Sequence, residues 1–169
     1  MKILTAYSLL IVTLLLSSCK INLSFTGGQL SGSTFTIGDF PNYAPLVQPS
    51  LSQAFVDGLR NKIVNESNLK YKPHNPLDSS DHYFSGKITN YTVTPISATS
   101  ASTAAMNRLS VSIEVVYYER IKKKNFTKTY TEFADFSIDE NLTNIEDQLI
   151  AEIVKKLAQQ VYLDIIPGW

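Results

Sequence analysis

Leu109-Ser110-Val111-Ser112-Ile113-Glu114-Val115-Val116-Tyr117 decides the fold class. Leu109, Val111, Ile113, Val115 and Tyr117 recur at every second position, the period of a strand that buries one face and wets the other. A second strand-like run covers residues 126–136, so the basic stretch at 120–125 between the two is predicted to be a hairpin tip. Upstream, residues 83–94 read as a long strand whose apolar parity changes from Phe84 and Ile88 to Tyr91 and Val93. That change predicts a β-bulge near Asn90. Residues 95–108, rich in Ser, Ala and Thr, read as a mobile loop between strands.

Two stretches carry the helical period instead. Leu51, Phe55, Leu59 and Ile63 recur every four residues behind Ser50 and Gln53, which have capping-box spacing. Gly58 weakens this helix by about 1 kcal/mol relative to Ala. Near the C-terminus, Leu149, Ile150, Ile153, Leu157 and Val161 supply an apolar face. There Thr143 and Glu146 form a second capping box, Glu146 and Asp147 suit the positive helix end, and Pro167-Gly168 stop the helix. Shorter strands are expected at residues 21–25, stopped by Gly27-Gly28, at 34–37, and at 69–72 ahead of a proline-containing loop at 73–81. The predicted class is α+β, with two α-helices packed on one face of a mostly antiparallel, about four-stranded sheet.

The N-terminus carries a different signal. Lys2, the apolar run from Ile3 to Leu16 and the small residues Ser17-Ser18 ahead of Cys19 have the three parts of a lipoprotein signal peptide. The run is too short for a bilayer span, which wants about 20 apolar residues. Cys19 is the one cysteine in the chain, so it has no internal disulfide partner and needs another fate. That fate is a thioether-linked diacylglycerol plus an N-acyl chain of the palmitate class. Three such chains, at about 0.8 kcal/mol per buried methylene, make a permanent anchor. The expected organisation is a signal peptide over residues 1–18 and a single domain over 19–169. Lys20 follows the cysteine where known sorting rules place an inner-membrane retention aspartate, so the outer membrane is expected, with the domain on its periplasmic face.

Removing the signal leaves about 150 residues, enough for one core. Fifteen Lys and Arg balance 15 Asp and Glu, so no global field points to nucleic acid. Catalytic signatures are absent: no HExxH or CxxC spacing, no GxSxG elbow, no P-loop and no dinucleotide fingerprint. No cofactor is implied, and the chain does not read as an enzyme. His74 and His82 are the histidines available as bases or ligands, and Asp78, Asp81 and His82 make at most a weak metal site or the side chains of an enzyme, the least favoured reading. A solvated turn accounts for them more simply, and His74 stands alone. Asn22-Leu23-Ser24 and Asn125-Phe126-Thr127 match the glycosylation triplet but carry little weight in a bacterial lipoprotein.

What remains is cationic. Arg120, Lys122, Lys123, Lys124 and Lys128 cluster at and beside the hairpin tip, and Arg108 joins them only if the fold brings it there. Such lysines keep a sheet edge from aggregating, or they form a site for lipid phosphates, which ammonium and guanidinium groups attract strongly.

With these features in place, the chain resembles the LptE-type lipopolysaccharide-assembly lipoproteins in the form seen in Bacteroidota. The resemblance starts at Cys19 and Phe25-Thr26-Gly27 and continues through Ile37, Phe40, Asn42 and Ala44. It runs on through Leu51-Ser52, Phe55 and Leu59, through Gly86, Ile88 and Tyr91, and through Ile145-Glu146 and Leu149-Ile150 to Trp169. It implies an outer-membrane lipoprotein that plugs and helps assemble the LptD β-barrel, forming the translocon for lipopolysaccharide transport. It also implies lipopolysaccharide contact through basic residues at one end of the domain, for which Arg108, Arg120, Lys122, Lys123, Lys124 and Lys128 are the candidates. The hydroxyls of Ser110, Ser112, Thr127, Thr129 and Thr131 suit a plug in a wet lumen, as they would any half-exposed sheet. The competing reading is a freestanding lipid-binding or envelope-scaffold lipoprotein, which requires an acyl-sized pocket between helices and sheet.

Overall fold

The computed structural model describes residues 30–74, 80–96 and 105–166. In chain order the elements are β1 (Thr34–Ile37), α1 (Leu51–Glu66), β2 (Lys70–Tyr71), β3 (His82–Ile96), β4 (Met106–Glu119), β5 (Lys124–Ser137) and α2 (Leu142–Ile165). The signal peptide, Cys19, the expected strand at 21–25, Asp78, residues 97–104, Pro167-Gly168 and Trp169 lie outside the described residues.

β3, β4 and β5 form an antiparallel meander whose register shifts between Ile88 and Asn90, where the change of parity places a bulge. The meander extends further than its composition suggests. Pro95 pairs with Asn107 and Ile96 with Met106, so both ends of the expected 95–108 loop belong to strands. Pro95, Ile96, Met106, Asn107 and Arg108 are carried by a ladder already running from the residues beside them.

The sheet itself corrects the expectation. It has five strands in the order β2-β1-β3-β4-β5, and β1 is parallel to both of its neighbours. The reason lies in the connections. α1 returns the chain from the end of β1 to the sheet edge beside its start, so β2 enters in the same direction. β3 enters in the same direction as β1 as well. Local periodicity marks where strands occur but does not encode how a helix-length crossover orients the next one.

Both helical stripes are buried as expected: Leu51, Phe55, Leu59 and Ile63 in α1, and Leu149, Ile150, Ile153, Leu157 and Val161 in α2. α2 buries Val154, Ala158, Tyr162 and Ile165 as well, because it packs against α1 and the sheet together. The helices run side by side in the same direction. Gly58 meets Val154, and further along both helices the Tyr162 hydroxyl donates to the Glu66 carbonyl. A Cβ at position 58 would come within 2.3 Å of Val154 Cγ1, so the glycine that costs helix propensity is what lets the axes approach.

Neither capping box forms. Ser50 is already in the right-handed helical region (φ −76°, ψ −18°) and its side chain caps nothing, since a capping hydroxyl needs an extended backbone to reach forward. Gln53 bonds Asp57 instead. The second helix begins a turn's fraction earlier, at Asn141, whose Oδ1 accepts from the Thr143 N–H at 3.0 Å. Glu146 is committed elsewhere and accepts the Tyr91 hydroxyl.

The helices cover one face of the meander, where Leu109, Val111, Ile113, Val115 and Tyr117 are buried. The opposite face is open and hydroxyl-rich. Ser112 and Thr131 bond at 2.8 Å, Lys87 pairs with Glu114 at 3.1 Å, and Val116, Tyr118 and Phe133 are exposed beside them. Among the described residues no helix is long and apolar enough to cross a membrane.

Candidate functional site at the hairpin tip

The β4–β5 hairpin closes through a turn at residues 120–123, with Glu119 opposite Lys124. Lys123 sits at φ 52°, a left-handed conformation that costs an ordinary side chain energy and persists where the turn demands it. The turn is tied from below by bonds to the segment leading into the strand beside it.

The reinforcement is built on Asp81, just ahead of β3. Its carboxylate accepts from the Ser33 N–H at 2.9 Å, the Thr34 N–H at 3.2 Å, the Thr34 hydroxyl at 3.0 Å and the Arg120 guanidinium at 2.7 Å. Arg120 also donates its backbone N–H to the Asp81 carbonyl at 2.8 Å. The Ser33 N–H first, then Arg120, hold this carboxyl far below the usual carboxylate range, against the opposing effect of burial. Gly32, at φ 90°, lets the strand pass this close, since a Cβ there would fall 2.6 Å from Asp81 Cβ.

His82, fully buried, extends the cluster inward. Its Nε2 faces the Ser31 carbonyl, which can only accept, so that nitrogen carries the proton. Nδ1 is left to accept from the Tyr117 hydroxyl at 2.7 Å. Burial, then the charge of Glu119, push the Tyr117 hydroxyl well above its ordinary range and keep it a donor. Glu119, also buried, accepts the Ser31 hydroxyl and lies 3.7 Å from Lys122. Asp81 and His82 thus join β1 to the hairpin, and among the described residues no three His, Cys, Asp or Glu side chains converge to hold a metal. Sequence reasoning missed Glu119, Tyr117 and Ser31 as partners. The signal existed for one of them: Glu119 continues the odd-numbered parity of β4 and so points into the core.

The candidate cations do not form one site. Arg120, Lys122, Lys123 and Lys124 meet at the tip. Lys128 lies nearby on β5 but is bound to Asp164 at 2.5 Å, over the Tyr130 ring. Desolvation works against ionised Asp164, yet Lys128 and the Tyr130 hydroxyl, with Lys124 adding to the field, hold its carboxyl below its ordinary value. Arg108 is at the other end of β4, about 40 Å away at the usual strand rise. There it forks onto Asp135 at 2.7 and 2.8 Å and stacks over Phe133 with its guanidinium carbon 3.6 Å from the ring centre.

Between helices and sheet the space is filled by fully buried Phe55, Leu59, Ile113 and Ile153. Two superficial recesses lie among the described residues, one of about 560 Å³ between α1 and α2 around Gly58, Asn61 and Val154, and one of about 370 Å³ between β5 and α2 around Tyr130, Gln160 and Asp164.

The model of a family described as LptE, lipopolysaccharide-assembly, matches residues 33–165. No curated protein matches the chain significantly. Among solved structures, a protein from Xanthomonas campestris aligns with TM-score 0.54 at 8% identity, covering 85% of this chain and 91% of its own. A hypothetical protein from Chlamydia trachomatis aligns with TM-score 0.51 at 10% identity, covering 80% of this chain and 96% of its own. At such identities these structures share the fold and nothing finer.

Proposed function

We propose, from the premise that the chain belongs to the LptE lipopolysaccharide-assembly family, that it is the lipoprotein partner and plug of an LptD-type outer-membrane β-barrel. The observation that carries this reading is the family match over residues 33–165, which spans both helices and all five strands. In this reading residues 1–18 are removed as a signal peptide and the mature domain begins at Cys19. That cysteine bears the lipid and holds the domain at the periplasmic face of the outer membrane. The chain does no chemistry; it fits and stabilises a partner.

Two features of the molecule support the plug role. The open face of β3–β5 offers hydroxyls and a paired Lys87–Glu114, groups that exchange hydrogen bonds with a wet barrel wall at little cost. Among the described residues Phe55, Leu59, Ile113 and Ile153 fill the space between helices and sheet, which favours the plug over a freestanding lipid carrier. Lipopolysaccharide phosphates, in this reading, are met at the hairpin end by Lys122, Lys123 and Lys124. Arg120 and Lys128 are held by Asp81 and Asp164, and Arg108 stands apart at the far end.

Affinity purification through this protein from gently solubilised membranes tests the proposal. Recovery of an LptD-type barrel, with lipopolysaccharide accumulating in the periplasm on depletion, is the expected result. Recovery of the domain alone overturns it.

A further inference from the structure

The tip of the β4–β5 hairpin carries Ile121, 53% exposed, between Arg120 on one side and Lys122, Lys123 and Lys124 on the other. Among the described residues Lys123 has no bonded partner. The two carboxylates closest to the turn are both engaged, Asp81 by Arg120 and Glu119 by Ser31. An apolar side chain flanked by ammonium groups, of which Lys122 lies 3.7 Å from Glu119 and Lys123 carries no partner among the described residues, is a local feature on a chain of zero net charge. Solubility does not require it, since a fifth polar residue would solvate the turn better.

Its position gives it a target. The chain enters the domain at this same end, where Ser31, Ser33 and Thr34 are bonded to Glu119, His82 and Asp81. Cys19 precedes Leu30 by eleven residues, a length of chain that reaches at most about 40 Å. β3, at 15 residues, is about 50 Å long. A leaflet that holds Cys19 therefore lies within about 40 Å of this end of the sheet, a shorter reach than the length of β3. The Asp81 bonds to Ser33, Thr34 and Arg120 fix the tip relative to the point of chain entry, so approach of one brings the other.

We infer that the hairpin tip is a membrane-docking element: Ile121 enters the headgroup region of the leaflet that holds the lipid anchor, and Lys122, Lys123 and Lys124 contact anionic phospholipid phosphates there. The pairing of an inserted apolar side chain with surrounding cations is what interfacial binding requires. Each such lysine strengthens association with an anionic surface by about fivefold. Docking orients the domain with its far end, including the Arg108–Asp135 pair, pointing away from the bilayer. The inference rests on the anchored-lipoprotein reading of Cys19 and is independent of the barrel.

The test uses the full acylated protein in vesicles free of lipopolysaccharide. Ile121→Cys is labelled with an environment-sensitive dye, with Ile138→Cys, equally exposed at 53% and at the far end, as its control. In vesicles containing a phosphatidylglycerol fraction, the dye at position 121 is expected to shift to the blue and to be quenched by a headgroup-level lipid quencher, while the dye at 138 is not. Adding Lys122→Glu, Lys123→Glu and Lys124→Glu abolishes the shift, as does 1 M salt on the parent, which serves should the triple variant misfold. Equal signals at 121 and 138, an unchanged shift in purely zwitterionic vesicles, or a shift seen only with lipopolysaccharide added each overturn the inference. Vesicle flotation separates the two readings: a protein that fails to float removes the anchor, and one that floats with position 121 fully solvated removes the docking tip alone.

Discussion

The two ends of β4 each carry an arginine paired with an aspartate, and the two pairs behave as opposites. At the far end Arg108 and Asp135 face each other across adjacent strands, with the carboxylate 32% exposed. At the tip Arg120 meets Asp81, 39 residues away in sequence, and that carboxylate is 9% exposed. The distances are the same, 2.7 Å. What differs is the company. Asp135 has one hydrogen-bonding partner that water replaces readily, whereas Asp81 collects two backbone N–H groups and the Ser33 and Thr34 hydroxyls, which would be left without an acceptor. A salt bridge matters to stability when its removal strands other groups, and geometry alone does not predict that.

Asp81→Ala is expected to have the largest effect. It leaves the Ser33 and Thr34 amides and the Arg120 guanidinium short of a partner in a partly buried place, at a cost of about 3 kcal/mol of unfolding free energy measured by urea titration. Asp135→Ala on the same assay is expected to match the parent within error. Equal losses from the two variants would show that burial does not separate the ends. The tip variant has a second consequence, because Asp81 ties the point of chain entry to the hairpin: amide exchange at residues 31–34 should rise along with exchange in the turn.

Acid sharpens the same contrast. The Asp81 carboxyl lies below its unfolded value, so its contribution is fully present above the ordinary carboxylate pKa of about 4 and is lost as pH falls from there through its depressed folded value. Unfolding midpoints measured between pH 6 and pH 2 should decline for the parent and only slightly less for Asp135→Ala, since the carboxyl it removes is also lowered by Arg108 but in a solvent-screened place. The decline should be shallower for Asp81→Asn, which keeps the shape but cannot titrate. A parallel decline would place the acid-sensitive group elsewhere.

The ends also differ in how much of them the sequence made legible. Period-two and period-four patterns located the long strands, the bulge and both helical stripes, because burial repeats with the geometry of each element. The tip cations were visible as composition. Their bonding was not: Arg120 and Lys128 find Asp81 and Asp164 across 39 and 36 residues, and no local pattern records such pairs. Arg108 was grouped with them by charge, although its place at the start of a 14-residue strand puts it at the opposite end. The parallel placement of β1 and the two cap residues were hidden for a related reason, since both depend on where the chain goes next.

Within the tip itself, Tyr117→Phe isolates the inner half of the polar cluster. The ring and its packing against Phe84, at 5.1 Å between centres, are retained, and only the donor to His82 Nδ1 is lost. The expected cost is about 1 kcal/mol, smaller than for Asp81→Ala because one group is stranded and not several. A loss as large as that of the aspartate would mean that the histidine, not the carboxylate, is the centre of the clamp.

The smallest effect is expected at Arg108, and it is the most demanding test of the comparison. Its fork onto Asp135 has the better geometry of the two pairs, and the stacking on Phe133 adds a cation–π contact. Contact geometry by itself therefore ranks Arg108→Ala above Arg120→Ala. Burial ranks them the other way, because solvent and salt already compete for every group that Arg108 touches. A double-mutant cycle on Arg108 and Asp135 should give a coupling that vanishes as salt is raised to 1 M. The matching cycle on Arg120 and Asp81 should keep most of its coupling, since the carboxylate is shielded and its remaining donors hold it in place.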